Sequence, residues 1–142
     1  MIVGVVSGSI AGVAAIAVLL FSGAAASLSS ATGLRAPTIA GLFALLMALA
    51  GALYGRVFMR AANDTRGGWL FGISYGFGLW MIGPVTVMQW FLARPVAVGH
   101  SAQGLFASHL AWGLALGILF PHIHRVVQRK STSEAEKAAG LV

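Results

Sequence analysis

One histidine, His109, lies deep inside a long apolar run, and its imidazole has the widest chemical range of any side chain there. In such surroundings an imidazole can ligate haem or chlorophyll, transfer a proton, or hydrogen-bond to a neighbouring helix. A proton relay normally recruits Asp or Glu, and the apolar runs contain neither. We therefore expect a neutral His109 hydrogen-bonded to Thr86 or Gln89, which reach a similar depth. Haem or chlorophyll ligation by His109 is the alternative, and otherwise no cofactor is expected.

Two further histidines, His122 and His124, follow Pro121 near the end of the last apolar run. Residues two apart on a helix point to different sides, so these imidazoles cannot share one metal ion there. The sequence offers no third ligand, and we expect no metal site. The neighbouring basic residues instead favour contact with anionic lipid headgroups.

The residue sets that define most catalytic sites are missing. The chain has no cysteine, which excludes disulfides, thiolate metal sites and cysteine nucleophiles. It also contains no HExxH motif, no Gly-rich phosphate loop, no acidic pair and no Ser-His-Asp set. The sequence therefore indicates a protein that is not an enzyme.

The elements that position His109 follow from the composition. Of the 142 residues, 58% are hydrophobic and 8% charged, with a mean hydropathy of +0.89; a soluble domain carries about 25% charged residues. A helix needs roughly 20 apolar residues to cross the hydrocarbon, where the backbone must satisfy its own hydrogen bonds. This predicts an all-α, four-helix transmembrane bundle over residues 1–130 and a short polar tail at 131–142. The spans are expected at about 2–27, 37–60, 68–92 and 102–126.

The direction of the spans follows from the distribution of Lys and Arg. Seven of the nine flank the link between spans two and three or follow span four, whereas Arg35 and Arg94 lie in the other two loops. This bias predicts that both termini are cytoplasmic. Basic residues at span ends also favour anionic lipid over nucleic acid as a partner. The residues expected to contact lipid are Arg56, Arg60, Arg66, Arg125, Arg129 and Lys130.

Glycine spacing repeats along the chain. The first span carries three glycines four residues apart that recur in the third span 64 residues later, and two glycines of the second span recur in the fourth 62 residues later. This predicts a tandem parallel repeat of a two-helix hairpin. Glycines four apart share a helix face and allow close packing, here in the cytoplasmic half. The expected packing positions are Gly4, Gly8, Gly12, Gly51, Gly55, Gly68, Gly72, Gly76, Gly113 and Gly117.

The larger and more polar side chains of the spans fall from mid-membrane outward. We expect a looser outer half that contains a polar and aromatic cluster of Trp80, Thr86, Gln89, His109 and Trp112. An indole N–H at this depth needs a hydrogen-bond partner.

Two motifs carry a resemblance to a known family. They are the run 72–80 (GISYGFGLW) with Gly83-Pro84, and the run 108–114 (SHLAWGL) with Gly117. The stretch Gly67–Arg129 resembles uncharacterised bacterial multi-pass membrane proteins of the YagU-like kind. The resemblance implies a location in the bacterial inner membrane and no assigned activity.

Three functions fit these features. The first is an accessory or structural subunit of a larger respiratory or photosynthetic membrane complex, which suits the small size and the absence of catalytic groups. The second is a channel or carrier for small solutes, which requires several copies because one bundle has too few polar residues to line a path. The third is a haem- or chlorophyll-binding protein that uses His109. The expected partners are membrane lipids and other membrane subunits or further copies of the chain.

Overall fold

A computed structural model describes residues 2–59, 64, 67–92 and 99–138. All regular elements in these ranges are helices, and four helical stretches among them are long and apolar enough to cross a membrane, as the sequence predicted. The elements in chain order are α1 (Ile2–Phe21), α2 (Ala24–Thr32), α3 (Ala36–Val57), α4 (Gly68–Trp80), a π-helical segment (Met81–Met88), α5 (Gln89–Leu92) and α6 (His100–Ala138).

The first span is shorter than predicted. α1 ends at Phe21, and Gly23 has a φ of 72°, in the left-handed region that glycine adopts without a steric penalty. A residue in this conformation cannot continue a right-handed helix. The chain turns there and begins the short helix α2, which packs against α3 and α6. The prediction of one continuous helix over 2–27 is therefore wrong beyond residue 21.

Pro84 changes the geometry of the third span. α4 passes at Met81 into the π-helical segment, and Pro84 is buried within it. Proline has no N–H and its ring clashes with the carbonyl four residues earlier, so regular α-helical bonding cannot continue through it. The Thr86 hydroxyl donates a hydrogen bond to the carbonyl oxygen of Met81 at 2.9 Å, which gives one carbonyl of the widened turns a local donor.

The last helix is the longest. α6 continues past Pro121 to Ala138, and its 39 residues span roughly 58 Å at about 1.5 Å per residue. The polar tail predicted at 131–142 therefore does not begin at a helix end, because residues 131–138 continue α6. Lys130 and Glu134 form an exposed ion pair at 4.0 Å on this extension.

Helices α1 and α6 form the centre of the bundle. α1 packs against both α3 and α6, and α6 packs against α4, so the order across the bundle is α3, α1, α6, α4. α6 is the most deeply buried of the four spans and α4 the least. We call the end at which α1 begins and α3 ends the basic end, because it carries Arg56 and Arg125. The helix α2 lies at the opposite end.

Candidate functional site

Helices α1 and α3 approach each other closely at four glycines. A Cβ atom built on Gly8 would lie 2.8 Å from the Cα of Gly51 and 2.8 Å from the carbonyl oxygen of Met47. A Cβ on Gly55 would lie 3.0 Å from the Cα of Gly4, and one on Gly4 would meet the carbonyl oxygen of Gly51. Since the atoms met belong to the main chain, any side chain at these positions would push the two helices apart.

Helices α4 and α6 approach each other in the same way. A Cβ on Gly72 would meet the carbonyl oxygen of Gly113 and lie 2.8 Å from the Cα of Gly117. A Cβ on Gly117 would meet the carbonyl oxygen of Gly68. These glycines are therefore where α4, the least buried span, is held against α6.

The next glycine along each interface behaves differently. A Cβ on Gly12 would lie 3.7 Å from the Cβ of Met47, which is ordinary contact. A Cβ on Gly76 would instead meet the carbonyl oxygen of His109 and lie 3.2 Å from the Cα of Gly113. Gly12 therefore leaves room for a methyl group, whereas Gly76 does not.

Trp112 joins α6 to α1. Its indole is fully buried, and its Nε1 donates a hydrogen bond to the carbonyl oxygen of Gly8 at 3.0 Å. The buried side chains of α1 on either side of Gly8 are small, with Ser7, Ala11 and Ala15 each exposed by 1% or less. The bulk of the indole therefore fits between the two helices, and its polar atom has the partner that burial requires.

Aromatic rings fill the space between α3 and α4, whose backbones make little direct contact within the described ranges. Tyr54 of α3 and Phe58, directly after α3, contact Phe71 and Tyr75 of α4 with ring centroids 5.0 to 5.9 Å apart. Phe120 of α6 meets the Tyr54 ring edge-on at 5.6 Å. This aromatic cluster lies at the basic end, where we expected only tight packing of small residues. Sequence reasoning missed it, although the four-residue spacing within each pair puts both rings on one helix face.

Three hydroxyls of this region differ in their bonding. Tyr75 donates a hydrogen bond to the carbonyl oxygen of Ala50 at 3.0 Å, which links α4 to α3. The Tyr54 hydroxyl and the Ser7 hydroxyl are buried and have no hydrogen-bond partner in the described part of the chain. Both belong to the half of the bundle nearer the basic end.

His109 bonds within its own helix. Its Nδ1 lies 2.8 Å from the carbonyl oxygen of Leu105, and since a carbonyl only accepts, Nδ1 carries the proton. The ring is 4% exposed and meets the Phe43 ring of α3 edge-on at 5.4 Å. The predicted bond from Thr86 is wrong, because that hydroxyl uses the carbonyl of Met81, and no bond between His109 and Gln89 is present.

A tetrapyrrole beside His109 would have to displace Phe43. The Nδ1–H bond to a backbone carbonyl leaves Nε2 unprotonated in the neutral ring, which is the arrangement found in metal-ligating histidines. However, the imidazole is almost completely covered and an aromatic ring already fills the space at its edge. The residues around His109 therefore do not fit a haem or chlorophyll.

The five side chains predicted to form one outer cluster are distributed over separate contacts. Trp112 bonds to α1, His109 packs against α3, and Trp80 packs against Phe106 of α6 with ring centroids 4.7 Å apart. Thr86 is exposed, and Gln89 is partly buried. The rings of Trp112, His109 and Trp80 thus make their main contacts with three different helices, α1, α3 and α6.

The two histidines of α6 near the basic end point to different sides, as their spacing predicted. His122 is exposed and its Nδ1 lies 2.8 Å from the carbonyl oxygen of Ile118. His124 is partly buried and its ring stacks on Phe120. Within the described ranges no three His, Cys, Asp or Glu residues lie close enough together to hold a metal ion.

The predicted lipid-contacting residues are exposed where the structure describes them. Arg56 lies at the end of α3, and Arg125, Arg129 and Lys130 lie on the part of α6 beyond Phe120. The remaining two, Arg60 and Arg66, lie outside the described residues.

Comparison of the chain with protein-family models, curated proteins and solved structures finds no match. The arrangement of the chain's own residues offers helix contacts, an aromatic core and a basic end.

Proposed function

We propose that this chain is a non-catalytic integral membrane protein that acts through contact with other membrane subunits, as an accessory component of a larger respiratory or photosynthetic complex. The observation that carries the proposal is the closed interior of the bundle. Its large central side chains are each exposed by 1% or less: Leu19, Tyr54, Trp112, Leu116 and Phe120. A filled core of this kind leaves no polar path for a solute through one copy.

The outer surfaces of the bundle are broad and apolar. α3 presents a row of leucines that are 48 to 59% exposed, namely Leu42, Leu45, Leu46, Leu49 and Leu53. The third span exposes Trp90 by 80% and Phe91 by 74%. Such faces suit either lipid or the helices of another membrane protein, since both are apolar.

The proposal includes an orientation with both termini in the cytoplasm of a bacterium, in its inner membrane. It is supported by the seven-to-two bias of basic residues and, for the bacterial membrane, by the resemblance to YagU-like proteins. Reporter fusions test it. We expect fusions at Asp64 and Val142 to report the cytoplasm and fusions at Ser30 and Gly99 the outside. A fusion at Asp64 that reports the outer side would reverse the orientation.

The proposal also includes an origin of the bundle by duplication of a two-helix hairpin. The support is a matching order of contacts in the two interfaces. The contact between Gly4 and Gly55 corresponds to the contact between Gly68 and Gly117. In the same way, the contact between Gly8 and Gly51 corresponds to the contact between Gly72 and Gly113. Positions on α1 and α4 differ by 64 residues, and positions on α3 and α6 differ by 62. The third pair, Gly12 with Met47, corresponds to Gly76 with His109.

Extraction from the host membrane in a mild detergent, followed by native mass and an absorption spectrum, tests the proposed role. We expect the 14.6 kDa chain to be a stoichiometric component of a larger complex that loses stability when the chain is deleted. An intact complex without the chain, and a chain that is isolated only as a single copy, would contradict the proposal.

The same experiment distinguishes the alternatives. A mass that is a multiple of 14.6 kDa, together with solute flux in reconstituted vesicles, would indicate a homo-oligomeric channel or carrier. A Soret or chlorophyll band that disappears in His109→Gln would indicate a pigment or haem protein.

A further inference from the structure

A cleft of about 320 Å³ opens at the basic end between the start of α1, the end of α3 and α6. Six of its seven lining residues are apolar or glycine, and one is a histidine: Ile2, Val3, Gly4, Gly55, Met59, Phe120 and His124. Ligand sites in proteins commonly combine apolar walls with one or a few polar groups that orient the ligand.

The shape of the cleft depends on two glycines and one aromatic ring. A Cβ on Gly55 would lie 2.9 Å from Cε2 of Phe120 and 3.0 Å from the Cα of Gly4. The backbones of α1 and α3 therefore close the cleft on its inner side, and the Phe120 ring is held against them. These contacts fix the site on helices rather than on loops.

His124 is bonded differently from His109 and His122 of the same helix. The Nδ1 atoms of His109 and His122 each lie 2.8 Å from the carbonyl oxygen four residues earlier. The ring of His124 instead stacks on Phe120, with centroids 6.0 Å apart and an angle of 14° between the planes. Its Nδ1 is buried and has no hydrogen-bond partner among the described residues. His124 as a whole is partly exposed, and its imidazole is the one polar side chain among the seven lining residues, so it is the group there that a ligand's polar atoms would contact.

The surroundings of the cleft carry positive charge. Arg56 and Arg125 follow the lining residues Gly55 and His124 in the sequence, and both are exposed at this end of the bundle. Arg125 itself lines a neighbouring cleft of α6 together with Arg129. None of the seven lining residues is acidic. The cleft also lies where α1 begins and α3 ends, and both helices are long and apolar enough to cross a membrane, so this end of the two helices corresponds to the depth of lipid headgroups.

We propose that this cleft binds one anionic phospholipid of the same membrane. An acyl chain lies along the apolar walls, and the phosphate lies beside His124, at the mouth of the cleft, where Arg56 and Arg125 supply the positive charge of this end. The apolar walls favour a lipid over a soluble anion, and the positive charge favours an anionic over a zwitterionic headgroup. The inference does not depend on the accessory role proposed above.

The test compares two histidine variants in nanodiscs made from equal parts of phosphatidylglycerol and phosphatidylcholine. His124→Phe keeps a ring to stack on Phe120 but removes the polar atoms, and His122→Phe is the matched control on the same helix. Lipids retained after mild extraction are counted by native mass spectrometry. We expect the wild type and His122→Phe to retain one phosphatidylglycerol, and His124→Phe to bind it about tenfold more weakly, the effect of losing a hydrogen bond to a charged group.

Two results would overturn the proposal. One is equal retention of phosphatidylglycerol by the wild type and His124→Phe, which would indicate ordinary surrounding lipid. The other is equal retention of phosphatidylcholine and phosphatidylglycerol by the wild type. Should His124→Phe not fold, Arg125→Gln decides the question: its side chain is exposed, and it should lower phosphatidylglycerol retention while Lys130→Gln does not.

Discussion

The contact between α4 and α6 at Gly72 can be tested with a single methyl group. Gly72→Ala adds a Cβ that would meet the carbonyl oxygen of Gly113 and lie 2.8 Å from the Cα of Gly117. Gly78→Ala adds the same group six residues along α4, where nothing lies within 4 Å. The two variants have the same composition and differ only in what the new methyl group meets.

The expected size of the effect follows from these distances. Carbon atoms in ordinary contact are about 3.5–4.0 Å apart, so α4 would have to move away from α6 by roughly 1 Å. Overpacking of this kind typically costs about 1–3 kcal/mol. The higher helix propensity of alanine, about 1 kcal/mol over glycine, applies to both variants and cancels in the comparison. We therefore expect Gly72→Ala to be less stable than Gly78→Ala by about 1–3 kcal/mol.

The assay is reversible unfolding in mixed micelles as the fraction of denaturing detergent is raised. Tryptophan fluorescence reports the transition, because Trp112 is buried and Trp80 packs against Phe106 at the α4/α6 interface. Equal stabilities for the two variants, within about 0.5 kcal/mol, would refute the close packing of α4 on α6 at Gly72.

Two further predictions use hydrogen bonds that cross between helices. Tyr75→Phe removes the bond to the carbonyl of Ala50 and should lower the unfolding free energy by about 1 kcal/mol. Tyr54→Phe should leave the unfolding free energy unchanged or raise it, because the Tyr54 hydroxyl has no partner among the described residues. Equal losses of stability for the two variants in the same micelle assay would contradict this prediction. Trp112→Phe removes the bond to the carbonyl of Gly8 and leaves unfilled space, so we expect the unfolding free energy to fall by at least about 1 kcal/mol. An unchanged transition midpoint would contradict the contact between α1 and α6 at Trp112.

The number of spans was predictable because lipid imposes a minimum apolar length on each helix. The break at Gly23 was not, since the apolar run continues through it and a single glycine is compatible with a membrane helix. The glycines at which the helices approach could be found from their spacing, because four residues bring a side chain back to the same face.

The contacts of the larger side chains were harder to predict. Spacing along one helix gives the face of a residue but not the neighbour that this face meets. His109 was expected to bond across to another helix, but its Nδ1 bonds to the carbonyl oxygen of Leu105, one turn earlier on its own helix. The bond from Trp112 to Gly8 joins residues 104 positions apart, and it depends on the rotation of both helices. That Nδ1 of His124 has no hydrogen-bond partner among the described residues could not be inferred from its position two residues after His122.

The place of α1 and α6 at the centre of the bundle constrains the order of assembly during synthesis. A chain that enters the bilayer from its N-terminus can pair α1 with α3 early, because the two are neighbours in sequence. The side of α1 that meets Trp112 stays exposed to lipid until the last span has been inserted. The hairpin of α1 and α3 must therefore stay paired in the membrane before Trp112 contacts α1, stabilised only by the close glycine contacts between its two helices. A ribosome that stalls before α6 would leave that hairpin open to pairing with the wrong helices, which is a known route to misassembly in chains whose distant segments must meet.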